Sequence, residues 1–238
     1  MTMHVLVVAK SPVAGRVKTR LCPPCTPAEA AALAEAALAD TLTAAAACGA
    51  ARRLVALDGP AGPWLPEGFE VFAQCQGGLD RRLAHAWAVA AGPGVQVGMD
   101  TPQLTSGLLD DALAALDGSS AALGHASDGG WWAIALRRPH PAVFAGVPMS
   151  SARTGAHQQA RMAALGLDVA PLPTLVDLDR ASDLVAIAEA APASRTAALA
   201  RALGLVPAAP VSTSRNPGRR GPTPDDRTRG AFRVTMEG

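Results

Sequence analysis

The chain predicts an α/β fold, a mainly parallel sheet flanked by helices. Three observations point to it. Residues 5–9 are wholly apolar and run into a Pro/Gly loop, as a buried parallel strand does before a binding loop. Short apolar runs then alternate with helical patterns along most of the chain, the signature of a parallel sheet with crossover helices. Finally, 238 residues suit one such domain plus a tail, with ample length to bury a core.

Taken in order, the first strand is 5–9. Thr26, Pro27 and Glu29 make a helix start, with a capping Thr, Pro at the first position and Glu at the third. That helix runs through Ala-rich sequence to Cys48 and Gly49, with Gly49 as the stop. Strands follow at 53–57, closed by Asp58-Gly59-Pro60, and at 69–72. Residues 79–91 are helical up to Gly92-Pro93-Gly94, and 95–97 is a fourth strand that breaks at Gly98-Met99-Asp100-Thr101-Pro102. Thr105 or Ser106 caps a helix ending near Asp117-Gly118. A strand at 121–123 leads through Ser127-Asp128-Gly129-Gly130 to another at 131–136. Ser150 or Ser151 opens a helix reaching Leu165-Gly166, and the last strand, 169–172, leads to Val176-Asp177-Leu178-Asp179. Two helices begin at Ser182 and Ser194.

From Pro207 the sequence is rich in Pro, Gly, Ser, Thr and Arg without apolar periodicity, so a disordered tail is expected over 207–238 and a domain over 1–206. The formal net charge of +1 gives no reason to expect nucleic-acid or membrane binding across the whole surface. It hides an asymmetry. Residues 212–238 carry six Arg against three acids, which leaves the rest slightly acidic. The short first strand lacks a basic leader, so no signal peptide is expected. The Ala-rich stretches contain Glu, Asp or Arg, so no membrane span is expected and a cytoplasmic location follows. Four cysteines do not make a secreted disulfide framework at this length.

Four polar signals fall at strand ends or turns, where open α/β sheets bind ligands. The first is the loop after residue 9, with four cations (Lys10, Arg16, Lys18 and Arg20) in eleven residues and no acid. The whole chain has two Lys against 19 Arg, and both lysines are here, as compact ammonium groups suit a phosphate site. The loop lacks the spacing of a Walker A P-loop. The second signal is Asp100, a carboxylate at a strand end before a chain-turning Pro102, suited to a hard cation or simply to capping the turn. The third is Asp128-Gly129-Gly130, which permits close backbone approach to a ligand and is also an ordinary hairpin turn. Beside it, Trp131 and Trp132 offer an apolar wall, or one ring to the core. The fourth is Asp177 and Asp179, which point the same way along an extended segment as a second metal grip, unless Asp179 caps the next helix.

Cys22-Pro23-Pro24-Cys25 resembles a redox or zinc dithiol, but no second Cys pair and no clustered His accompany it. The five His residues show no ligand spacing. There is neither a nucleophile elbow nor a dinucleotide fingerprint after the first strand.

These stretches, in this order over residues 4 to about 190, resemble a bacterial family of GT-A-like transferases. It is known as radical-SAM/selenodomain-associated transferase or arsenosugar-biosynthesis-type glycosyltransferase, within the nucleotide-diphospho-sugar transferase superfamily. The opening pattern A-K-x-P-x-x-G-x-V-K-T-R-L is matched by Ala9, Lys10, Pro12, Gly15, Val17, Lys18, Thr19, Arg20 and Leu21. G-x-D-x-P-x-L-T is matched by Gly98, Asp100, Pro102, Leu104 and Thr105, D-G-G by Asp128-Gly129-Gly130, and the late D-x-D by Asp177 and Asp179. Three departures stand out: Arg81 where the family has an acid before Arg82, Trp131-Trp132 where it has two Tyr, and Met149-Ser150-Ser151 where it has Trp-Ser-Thr. They lie near the expected acceptor side.

The resemblance implies a metal-dependent transfer from a nucleotide-activated donor, most simply glycosyl transfer to a small acceptor. Lys10, Gly15, Arg16, Lys18, Arg20 and Arg82 are then expected at the nucleotide and its phosphates, and Asp100, Asp177 and Asp179 at Mg²⁺ or Mn²⁺. Asp128 and Asp100 are the expected catalytic residues, Asp128 positioning or deprotonating an acceptor hydroxyl. The same clamp would serve nucleotidyl transfer from a nucleoside triphosphate with release of pyrophosphate. A non-catalytic nucleotide-binding protein is the alternative of another class. No oligomeric state is implied.

Overall fold

A computed structural model of the chain describes residues 2–208. The expected tail, from residue 209 on, lies outside the described residues. Seven strands form one sheet: β1 (His4–Lys10), β2 (Arg52–Asp58), β3 (Glu70–Ala73), β4 (Gly94–Val97), β5 (Ala121–Ala126), β6 (Trp131–Leu136) and β7 (Val169–Leu175), in the order β3-β2-β1-β4-β6-β5-β7. Every pairing is parallel except those of β6, which runs antiparallel between β4 and β5. The carboxyl ends of the other six strands and the amino end of β6 therefore share one edge. That edge collects the loop after Lys10, the break after Val97, the β5–β6 turn and the segment after Leu175.

Among the described residues six α-helices cover the sheet: α1 (Pro27–Ala47), α2 (Leu79–Ala90), α3 (Ser106–Gly118), α4 (Thr154–Ala164), α5 (Asp183–Ala190) and α6 (Arg195–Ala202). The two-residue period of β1 divides the core. Val5, Val7 and Ala9 face α1 and α3, whereas Leu6 packs with Leu83, Ala86 and Trp87 of α2. A third apolar cluster joins Leu21 and α1 to α5 and α6. Asp40 of α1 locks this corner. Its carboxylate accepts from the backbone N–H groups of Arg195 and Thr196, both at 3.0 Å, and from the Thr196 hydroxyl at 2.9 Å. A buried carboxylate on the first N–H groups of a helix satisfies donors that would otherwise be orphaned.

α1 keeps the expected capping box of Thr26 and Glu29. One expectation about it needs correction. It ends through an extended Cys48 rather than a left-handed Gly49, whose N–H donates instead to Asp110. Within its 21 residues an 18-residue stretch has a mean hydropathy of 1.3, long and apolar enough to cross a membrane by those measures alone. Sixty-one per cent of that stretch is buried inside the protein, as small Ala side chains let α1 settle on the sheet.

Other boundaries move for local reasons. α4 begins at Thr154, not at Ser150 or Ser151, because Ser150 takes φ 59° and the Ser151 N–H donates to the Thr154 hydroxyl oxygen in a turn. β5 extends to Ala126 across an irregularity at Gly124 and His125. β7 extends to Leu175 because it is an edge strand and tolerates Pro171 and Pro173.

His4 is fully buried at the start of β1, edge-on to Trp87 at 5.2 Å, and Gly94 leaves room for its ring. Burial and the nearby Arg52 charge hold its pKa down at about 4. A folded-state pKa below the unfolded one means that the unfolded chain binds the extra proton. Stability is therefore full above about pH 6.5 and is lost as pH falls toward 4, by up to about 3 kcal/mol. Urea midpoints at pH 7 and pH 4.5 should separate much more for the wild-type chain than for His4→Leu. Equal separations would remove His4 as the cause.

Candidate functional site

The site starts where β4 breaks. The Asp100 backbone carbonyl accepts from the Leu178 N–H at 2.8 Å, and the Gln103 amide donates to the Val176 carbonyl at 2.7 Å. These bonds stitch the segment after β7 to the segment after β4 and bring Asp177 and Asp179 beside Asp100. The Thr101 hydroxyl donates to Asp177 at 2.7 Å.

The cationic loop closes onto these carboxylates. Lys18 has a left-handed backbone (φ 46°, ψ 36°) before the short 3-10 turn Thr19–Leu21, and its side chain is only 10% exposed. Its Nζ donates to Asp100 Oδ2 at 2.7 Å and stands 3.5 Å from Asp179 Oδ1. Arg20 pairs with Asp179 Oδ2 at 2.9 Å. Burial alone would pull the Lys18 pKa down, but Asp100, with Asp179 and Asp177, holds it above the usual lysine value. Asp177 shows the converse. Burial first, then the charges of Asp100 and Asp128, push its carboxyl up to about 8 against the Thr101 hydrogen bond and Lys18.

Two recesses open here. The larger is a cavity of about 720 Å³ bordered by Lys10, Arg20, Arg82, Asp100, Asp128, Asp177 and Asp179 among others. The smaller, about 240 Å³, adjoins it and is bordered by Arg16 and Lys18 together with Lys10, Arg20, Asp100 and Asp179. Every expected site residue but one thus borders this space. Gly15 borders neither recess and serves the loop as a left-handed turn residue, φ 74°, with open space around it.

The pairing within the site differs from the expectation. Among the described residues, no three His, Cys, Asp or Glu side chains form a group able to hold a metal ion. Lys18 and Arg20, expected on phosphates, instead neutralise the carboxylates expected on a metal. Crowded carboxylates in a poorly solvated pocket draw in whichever cation the chain can deliver. Lys10, by contrast, is half-exposed, 4.0 Å from Asp58, as the parallel register of β1 with β2 sets these two side by side.

The Asp128 turn is a β5–β6 hairpin turn beside the cavity. Asp128 Oδ1 accepts from the Gly130 N–H at 2.8 Å, an ordinary turn bond, while the residue also borders the cavity. Gly129 has φ 90°, and a methyl group there would run into the Ala152 carbonyl. The contact seats Met149, Ser150, Ser151 and Ala152 on the cavity wall. Alternation along β6 gives Trp131 to the cavity and Trp132 to the core, where its Nε1–H donates to the Pro173 carbonyl. All four cysteines are free, and burial pushes the Cys25 thiol up, away from the thiolate a redox pair needs.

Sequence reasoning missed Gln74. Its amide donates to the carbonyls of Ala9 at 2.8 Å and Ala56 at 3.0 Å and accepts from Arg82 at 3.0 Å. It braces the ends of β1 and β2 and orients Arg82 into the cavity. A lone Gln after a short strand carries no pattern that would have revealed it.

The chain matches the family described as uncharacterized protein conserved in bacteria, DUF2064, over residues 29–151. It belongs to that family. Among solved structures, a candidate nucleotide-diphospho-sugar transferase from Desulfovibrio desulfuricans G20 is 28% identical. The match covers 86% of this chain and 97% of that one at a TM-score of 0.78. Rv0371c from Mycobacterium tuberculosis H37Rv is 18% identical over 77% and 96% of the two chains, with a TM-score of 0.49. No curated protein matches the chain. The DUF2064 chain thus has the nucleotide-diphospho-sugar transferase fold implied by its motifs.

Proposed function

We propose that this DUF2064 chain is a transferase acting on a nucleotide-activated donor, and that it moves a sugar from a nucleoside-diphosphate sugar to a small acceptor. One observation carries the reading: a loop with four cations and a group of carboxylates together border two adjoining recesses at the carboxyl edge of the sheet. A phosphate-rich donor with a hard cation is the ligand that uses both walls. The likeness to a candidate nucleotide-diphospho-sugar transferase supports it. The domain of this reading is residues 1–206, in a cytoplasmic setting.

Each residue then has a task. Lys10 and Arg16, unlike Lys18, keep exposed side chains and pair with the donor's diphosphate. Arg82, braced by Gln74, supports the same charge. Asp128 keeps one oxygen free of the turn bond and positions or deprotonates the acceptor hydroxyl. Trp131 and Met149 offer the acceptor an apolar wall. Asp100 and Asp179 lie 2.7 and 3.5 Å from the Lys18 ammonium, which supports an ion that takes one or two carboxylates plus substrate phosphates. Mg²⁺ or Mn²⁺ held by Asp100, with Asp179 or Asp177, would offset charge developing on the leaving phosphate.

Phosphorus NMR of the protein incubated with Mg²⁺ or Mn²⁺ and a pool of nucleotide-sugars tests this. Metal-dependent release of a nucleoside diphosphate from one member is the expected result. Pyrophosphate release from a nucleoside triphosphate, given phosphorylated acceptors, would replace glycosyl by nucleotidyl transfer. Binding without turnover of either pool would make the protein a non-catalytic nucleotide binder.

A further inference from the structure

We infer that Lys18 is a resident counter-ion at the cation position between Asp100 and Asp179, and that a divalent metal must expel it, which releases its ammonium to the donor's diphosphate. The inference rests on the metal-assisted reading above and goes beyond it. It assigns one residue two successive partners.

The geometry carries it. Lys18 Nζ is in hydrogen-bond contact with Asp100 at 2.7 Å and within ion-pair distance of Asp179 at 3.5 Å. A hard divalent cation on the same carboxylates would bind their oxygens at about 2.0–2.1 Å for Mg²⁺. Two like charges cannot share those oxygens in a pocket where the lysine side chain is 10% exposed. The residue type fits as well. The chain writes its cations as 19 Arg and two Lys, and the lysine here supplies a compact, flexible point charge that can mimic and then yield to a metal ion. A planar guanidinium is poorly suited to that exchange. Arg20, on the outer oxygen of Asp179, is more exposed and can stay.

The expelled ammonium has a destination. Lys18 borders the smaller recess together with Arg16 and Lys10, so the space next to the carboxylates is already cationic. With the metal absent, Lys18 is spent on Asp100 and the recess attracts phosphate less. With it present, the recess gains one free positive charge. Metal and diphosphate binding are thereby coupled, and by linkage the coupling is reciprocal.

Two readouts test this without turnover. Free Mn²⁺, counted by electron paramagnetic resonance, gives the metal affinity of the wild-type chain, Lys18→Met and Lys18→Asn, Asn being at ease in left-handed backbone. Both variants should bind Mn²⁺ about tenfold more tightly or better, and Asp100→Asn should abolish the gain. In the unaltered chain, acylation of Lys18 relative to Lys10, read by peptide mass spectrometry, should rise several-fold with saturating Mg²⁺. It should fall again when a nucleoside diphosphate is added. Equal Mn²⁺ affinity in all three chains, lost on Asp100→Asn, would overturn the counter-ion and leave the metal reading standing. So would Lys18 acylation unmoved by saturating Mg²⁺. Failure of the wild-type chain and both variants to bind Mn²⁺ would remove the metal reading, and the counter-ion exchange with it.

Discussion

Asp100→Asn should lower transfer turnover by about 10²- to 10³-fold, the usual loss when a preorganised charged group is removed from an active centre. The side chain carries this effect through the cation it would hold and its place on the cavity wall. Its structural role is different and survives the substitution, since the backbone carbonyl of residue 100, not the carboxylate, accepts from Leu178. The variant should therefore fold, with Asp179 still compensating Lys18. Turnover at saturating donor, with thermal unfolding run alongside, checks both halves. A variant with wild-type turnover would move the chemistry away from the β4 end.

Gly129→Ala should destabilise the fold by roughly 2–4 kcal/mol and take the remaining folded molecules out of action. Two costs combine: φ 90° disfavours any side chain, and the added methyl meets the Ala152 carbonyl, which is backbone and cannot swing aside. Relief requires the β5–β6 turn and the 149–152 segment to separate, and they carry Asp128 and Met149 on opposite sides of the contact. Gly15→Ala is the matched comparison. It has φ 74° but nothing within 4 Å, so it should cost only about 1 kcal/mol, the backbone part alone. Urea denaturation of both variants checks the difference, and equal costs would remove the Ala152 contact as a cause.

How far this site could be read from residues alone follows from what each part depends on. The ends of β1 and β4 were legible because apolar runs stop abruptly at Lys10 and Gly98, and parallel topology sends such ends to one edge. Trp131 and Trp132 were legible as alternatives, and the strand period decided between them. The partnership of Lys18 with Asp100 was not legible. It joins residues 82 apart in the sequence and depends on a left-handed backbone at a residue type that rarely adopts it. The start of α4 was misplaced for a related reason. Ser150 and Ser151 carry the right cap chemistry, but the hydroxyl that organises the turn belongs to Thr154. Gln74 depends on three partners from three elements, and no local pattern encodes that.

On the proposed function, a nucleotide's diphosphate occupies the recesses between the cationic loop and Asp100. A crystal structure grown with Mg²⁺ and a nucleoside diphosphate, each of the common bases tried in turn, tests it most directly. Phosphate density should lie within hydrogen-bond distance of Lys10, Arg16 or Lys18, on the Asp100 side of the cavity. A diphosphate bound elsewhere on the protein, with these recesses filled by solvent alone, would contradict it.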